Sequence, residues 1–297
     1  MVDTRERMRW LVAVDARDLS HGAVALARWL SGPRAPELFG IHVMEWVPPV
    51  EESVEPGGPE PLRDMADEIM ESLAAAIGAG AVEVVEEASI EEGLRKGLIR
   101  RGGDTLVLGR RAPSGGSVGA IRLGRVARRI VRNLPSPVVV VPPDYAASHG
   151  GPVVVATDLT RSCVDAVAWA ARLAAAILRP LLLAYVEPPP GRRPYLRASD
   201  QPLAPGVDPF EAWARHHGVG DAERVRLSGP PSTALIEIAA ERDACMLVTG
   251  SRCLDGVERL FLASLGTELA ATAPLPVALV PPGDDEGSDD EGSPDVE

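Results

Sequence analysis

The 297-residue chain repeats itself at a nearly constant spacing. LVAVD (11–15) recurs as VVATD (154–158), and LPSPVVVVPPD (134–144) recurs as APLPVALVPPGD (273–284). Between them, DTLVLGR (104–110) corresponds to ACMLVTGSR (244–252). Asp15 maps onto Asp158 at an offset of 143, Gly109 onto Gly250 at 141, Gly124 onto Gly266 at 142 and Pro137 onto Pro276 at 139. An offset held at four separate landmarks marks two homologous domains, expected at 1–145 and 151–282 and joined through PPDYAASHGGP (142–152). The remaining stretch, 283–297, holds eight acids and no base. It has nothing apolar to offset its ordering entropy, so it is predicted to be a disordered, solubilising tail.

Each copy alternates short apolar runs with amphipathic stretches. In the first, WLVAVD, ELFGIHVMEW, AVEVVEE, TLVLG and PVVVV read as strands. SHGAVALARWL reads as a helix with Ser20 as its N-cap, and SIEEGLRKGLIRRG as one opened by a Ser89/Glu92 capping box. RDMADEIMESLAAAI (63–77) and VGAIRLGRVARRIVRN (118–133) complete the helices. The second copy repeats this order, with a long Pro-rich loop (187–207) where the first has one at 47–61. Runs such as VVVV are apolar on both faces, so helices must cover the sheet on each side. The fold class is therefore α/β: two tandem, doubly wound domains, each with a five-stranded parallel sheet and right-handed crossovers.

Ligands in such sheets lie beyond the carboxyl ends of the strands, where strand order reverses. That rule singles out Asp15 and Asp158 after the first strand of each copy, and Gly109 and Gly250 at the end of the fourth. A small-residue loop follows each glycine and closes at a helix start, Leu123-Gly124-Arg125 or Leu265-Gly266-Thr267. Glycine permits close backbone approach, and a helix N-terminus offers free N–H groups to an anion. Together they describe a phosphate cradle, with the Asp available to a ribose hydroxyl or an adenine amine. Taken singly, each glycine is equally what ends any strand or opens any helix. Arg110, Arg111, Arg122 and Arg125 cluster around the first cradle in the sequence, where Arg125 could grip a phosphate in two-pronged fashion. A solvated arginine-rich face explains them equally well.

These features, with the His42-Val43 and Tyr185-Val186 steps in the second strands, resemble the universal stress protein family in tandem form. The resemblance covers everything but the tail. It implies an adenine nucleotide alpha hydrolase-like fold, pairing of domains through the last strand and, in one subclass, ATP binding with any magnesium carried by the nucleotide. In that subclass the loop reads G-x2-G-x9-G-(S/T). The Asp meets base and ribose, the second-strand segment (Val43, Val186) lines the adenine, and the loop holds the phosphates. In the first copy Gly109 and Gly124 fit, but Ala112 takes the middle glycine's place and Arg125 that of Ser or Thr. In the second Gly250, Gly266 and Thr267 fit, with Cys253 in the middle. Both loops are longer than the pattern, and Gly115, Gly116 and Gly119 enrich the first.

Other chemistry finds little footing. There is no HExxH pair or Walker lysine, so catalysis is not expected. Cys163, Cys245 and Cys253 have no metal-ligand spacing. His42 reads as a satisfied or pocket-lining strand residue, and His216-His217 as a helix end. The five tryptophans read as core. Of the net charge of −13, eight units belong to the tail, and the rest of the chain carries −5 without a basic field, which argues against a nucleic-acid partner. No apolar run reaches the ~18 residues that span a bilayer, and no signal peptide is visible, so a cytoplasmic protein is expected. The expectation is a regulatory protein that binds an adenine nucleotide, ATP first, in one or both domains, with the domains paired within the chain and a homodimer left open. The alternative is a protein–protein interaction module with degenerate pockets.

Overall fold

A computed structural model of the chain describes residues 7–15, 21–30, 35–45, 71, 74–75, 82–110, 123–132, 136–146, 150–160, 163–188, 206–251 and 265–283. The first half contributes β1 (Arg9–Ala13), α1 (His21–Trp29), β2 (Glu37–Glu45), β3 (Val82–Glu87), α2 (Ile90–Arg100), β4 (Thr105–Gly109), α3 (Arg125–Arg132) and β5 (Val138–Val141). The second contributes β6 (Val153–Thr157), α4 (Val164–Ala176), β7 (Leu181–Val186), α5 (Pro209–His216), β8 (Glu223–Leu227), α6 (Pro231–Glu241), β9 (Met246–Gly250), α7 (Leu265–Thr272) and β10 (Val277–Val280). The helix expected over 63–77 lies almost wholly outside the described residues, as do the tail beyond Gly283 and most of both Pro-rich loops.

Strand order is 3-2-1-4-5 in the first half and 8-7-6-9-10 in the second, and every pair within a half is parallel. Successive residues of the central strands alternate between two apolar layers, which is why these strands read as unbroken apolar runs. Val153 and Val155 face the layer holding Trp10, Leu26, Trp169 and Phe210. Val154 and Ala156 face the other, with Leu11, Leu94, Leu235 and Leu269. Burying each such large side chain contributes roughly 1.5–3 kcal/mol. Ser89 accepts from the Glu92 N–H at 3.2 Å as a capping residue should, while the Glu92 carboxylate turns to Arg95.

The halves join edge to edge. β5 and β10 pair antiparallel, with Val140 opposite Val277, Val139 opposite Ala278 and Val138 opposite Leu279. Val139 and Ala278 occupy corresponding places in the repeat, so the register is centred as a local two-fold axis requires. One continuous ten-stranded sheet results. Because the join is antiparallel, the carboxyl edge of one half is the amino edge of the other. The linker can therefore leave β5 and enter β6 on the same side of the sheet without crossing it.

Side chains reinforce the join. Trp10 of β1 stacks on Trp169 of α4, with centroids 5.7 Å apart and 14° between planes. Trp169 Nε1 donates to Thr105 Oγ1 at 3.2 Å, and that hydroxyl donates on to Asp104. From the other side Arg110, only 6% exposed, donates through Nη1 to the Ala270 and Ala273 carbonyls at 3.2 and 3.1 Å. Those carbonyls close α7, where a cation is favoured by the helix dipole. Burial pushes the Arg110 guanidinium below its usual range, with Asp144 opposing. Arg110 therefore serves the join between halves, not the phosphate cluster in which its sequence neighbours placed it. Among the described residues no helix is long and apolar enough to cross a membrane.

Candidate functional site

Strand order reverses between β1 and β4 in the first half and between β6 and β9 in the second. The crevices thus open beside Asp15 and Gly109, and beside Asp158 and Gly250, on opposite edges of the ten-stranded sheet. The β1 end is fixed by its neighbour strand. Val14 N–H donates to the Ile41 carbonyl, and His42 Nδ1 lies 2.9 Å from the Val14 carbonyl. A carbonyl only accepts, so Nδ1 carries the proton and His42 is a satisfied strand residue at the crevice wall. At the β4 and β9 ends the ladders run one residue further, Arg110 N–H to Val141 and Ser251 N–H to Val280.

Asp158 sits in a tight turn between β6 and α4. Its Oδ1 accepts from the Thr160 N–H at 3.0 Å, from the Thr160 hydroxyl, and from the Cys163 thiol at 3.0 Å. Leu159 has φ of 63°, a left-handed conformation that a leucine rarely adopts, and its N–H donates to Thr157 Oγ1. Its side chain is buried, which holds the strained turn in place. The sequence marked Asp158 but not Cys163, which enters there only as a cysteine without metal-ligand spacing. The signal was in the repeat: Ser20 lies five residues after Asp15, as Cys163 does after Asp158.

Val43 and Val186 send their side chains into the sheet's second apolar layer. Val43 is covered by α2, where a Cβ on Gly93 would come within 2.5 Å of it. At the start of α7, Gly266 is buried, and a Cβ there would lie 2.7 Å from Leu279 and 3.2 Å from Thr249. A Cβ here would push the Leu279 side chain aside, so packing on β9 and β10 favours glycine irrespective of any anion. Thr267 follows on α7, half-buried. The Gly124 carbonyl accepts from Arg128 N–H at the start of α3, and Arg125 is exposed. Arg128 reaches the Leu123 carbonyl and Arg129 pairs with Glu91 at 3.2 Å, so the sequence cluster of arginines points in several directions. The loops with Arg111, Ala112, Gly115, Gly116, Gly119, Arg122 and Cys253 lie outside the described residues.

Beside the second crevice, the Arg226 guanidinium lies over the Tyr185 and Phe210 rings at 5.8 and 5.6 Å and pairs with Asp208 and with Glu187 (3.3 Å). Glu187 is therefore an ion-pair partner in a stacked cluster at the β7–β8 end. Burial pushes both the Cys163 and Cys245 thiols up to about 12, so neither supplies a thiolate nucleophile near neutral pH. Trp10, Trp169 and Trp213 are core residues. Among the described residues no group of three His, Cys, Asp or Glu side chains is placed to hold a metal ion.

This arrangement, twice over, is that of a known class of paired α/β domains. The profile of the universal stress protein family matches residues 6–142 and again residues 151–281. The chain belongs to the universal stress protein family, as a tandem of two of its domains. The "universal stress protein in QAH/OAS sulfhydrylase 3'region" of Thermus aquaticus is 38% identical over 63 residues, 21% of this chain and 46% of that protein. The chain thus spans about half the length of that curated relative. A universal stress protein from Archaeoglobus fulgidus DSM 4304 superposes with a TM-score of 0.64 at 19% identity, over 95% of this chain and 98% of that one. A functionally unknown protein from Pseudomonas aeruginosa PAO1 does so with 0.61 at 14%, over 93% of each. The cytoplasmic domain of a prokaryotic cation chloride cotransporter gives 0.50 at 13%, over 94% of this chain and 98% of that one. At these identities the likeness shows the fold alone.

Proposed function

We propose that this chain is a regulatory nucleotide-binding protein that takes an adenine nucleotide, ATP first, at the carboxyl-edge crevice of one or both domains, with slow or no turnover. The observation that carries this reading is the placement, in both halves, of an Asp (Asp15, Asp158) and a strand-ending glycine (Gly109, Gly250) on either side of the point where strand order reverses. The second crevice is the better candidate. Its Asp158 is held rigidly by three donors to one oxygen, and Thr267 stands at the first turn of α7. Any magnesium would arrive with the phosphates. The test is mass spectrometry of small molecules released from the purified protein, with calorimetric titration of ATP. Adenine nucleotide should be found, and Asp158→Ala should weaken ATP binding by about tenfold or more, the scale of a lost hydrogen bond to a charged group. Protein that carries no nucleotide and gives no heat with ATP would falsify the reading.

A second reading has its own support. Packing favours glycine at Gly266 and the domain join uses Arg110, so one glycine of the phosphate pattern and one arginine of the cluster have structural explanations. In that case the chain is an interaction module and its long Pro-rich loops are the working surface. Deleting residues 189–205 would then remove a captured partner that Asp158→Ala leaves bound.

A further inference from the structure

Cys163 occupies the N-cap position of α4 without doing a cap's work: its φ and ψ are −95° and −9°, and its side chain accepts no helix N–H. The thiol is turned the other way. It is 8% exposed, its Sγ lies 3.0 Å from Asp158 Oδ1, and the Asp158 N–H points back to the sulfur at 3.5 Å. Burial keeps the thiol protonated, so in this pair it is the donor and the carboxylate the acceptor. Thr160 N–H and Oγ1 converge on the same oxygen. Among the described residues three donors, two from Thr160 and one from Cys163, converge on one carboxylate oxygen, and the Cys163 thiol ties it to α4.

The repeat separates this role from sulfur chemistry. At the offset of 143 that carries Asp15 to Asp158, Ser20 corresponds to Cys163, and Ala23 and Val24 to Ala166 and Val167. Both copies therefore place a small side chain with one hydrogen-bond donor five residues after the Asp. What the two residues share is the capacity to donate. Redox behaviour and metal affinity differ between a hydroxyl and a thiol, and so does capping strength.

We infer that Cys163 is a positioning residue for Asp158, holding its carboxylate in the orientation that meets a nucleotide's hydroxyl or amine groups in the second crevice. This rests on the nucleotide reading of that crevice. ATP is titrated calorimetrically into the full chain carrying Asp15→Ala, so that the second crevice alone reports. Cys163→Ser should hold affinity within about twofold, since the donor is kept, and Cys163→Ala should weaken it by about fivefold to twentyfold. With Asp158→Ala already present, Cys163→Ala should cost nothing further. An equal loss in that background, or a serine variant as weak as the alanine, overturns the inference and leaves the nucleotide reading standing. If the unaltered second crevice binds no ATP, the nucleotide reading fails by itself. The positioning is then decided by carboxyl-carbon NMR titration of Asp158. Its pKa should rise in Cys163→Ala and return in Cys163→Ser, because the ionised form loses and regains a donor. An unmoved titration overturns it.

Discussion

The two halves have one topology and differ at the places where a ligand would touch them. Beside the first crevice stand His42, bonded to the Val14 carbonyl, and Arg125, exposed at the start of a helix whose eight residues include no acid. Beside the second stand Tyr185 under Arg226, and Glu268 in the first turn of α7, accepting from Ser232 at 2.7 Å. The join is unequal as well. Arg110 reaches from the first half to cap α7, while its counterpart in the repeat is the small Ser251. Duplication keeps strand order and crevice position, because both depend on buried apolar patterning that tolerates little change. Side chains at the rim are held by nothing comparable, and they have diverged.

The largest expected effect comes from forcing the first half to resemble the second. Gly22 of α1 corresponds to Asp165 of α4, which accepts from the Gly283 N–H at 2.8 Å. A Cβ at Gly22 would lie 1.8 Å from the Pro142 carbonyl oxygen. Gly22→Asp should destabilise the protein by about 3 kcal/mol or more in denaturant unfolding, since backbone must move. The reverse exchange, Asp165→Gly, should cost about 1 kcal/mol for its hydrogen bond and the added glycine. Equal costs would show that α1 and α4 approach the sheet alike.

Next comes the unequal join. Arg110→Met should lose about 2–3 kcal/mol, because two carbonyls at the end of α7 lose their charged donor in a buried site. Ser251→Ala should stay within about 0.5 kcal/mol. The smallest effect concerns charge at the helix starts. Glu268→Gln should strengthen ATP binding in the second half by about twofold to fivefold, and Arg125→Gln should weaken it in the first by a similar factor, both fading at high salt. Identical responses would mean that phosphates approach neither helix.

Much of the fold was legible because it is written in local and periodic terms. Val138–Val141 and Val153–Thr157 read as doubly covered strands from their composition alone, and the repeat supplied the duplication. The locations of Asp158 and Gly250 followed from topology, since parallel strands send their carboxyl ends to one edge. What stayed hidden depends on residues far apart in sequence. Arg110 meets carbonyls 160 and 163 residues away, so its neighbours Arg111 and Arg125 were misleading company. Gly266 reads as a phosphate glycine until Leu279 and Thr249 are seen against it. Glu187 likewise meets its partner, Arg226, 39 residues on in the next strand.

The antiparallel seam between β5 and β10 has a consequence for how the protein comes apart. Val138 to Val141 are at most 1% exposed, and β5 and β10, the last strands of their halves, close each other's open edge. Separated, each half would present a bare, flat valine-rich edge, the kind of surface that templates aggregation. The halves are therefore expected to melt as a single cooperative unit despite being two domains, with the partly folded intermediate suppressed by its own stickiness. Duplication has in this sense turned what would be a concentration-dependent assembly of two chains into an intramolecular one, whose effective concentration is set by an eleven-residue tether.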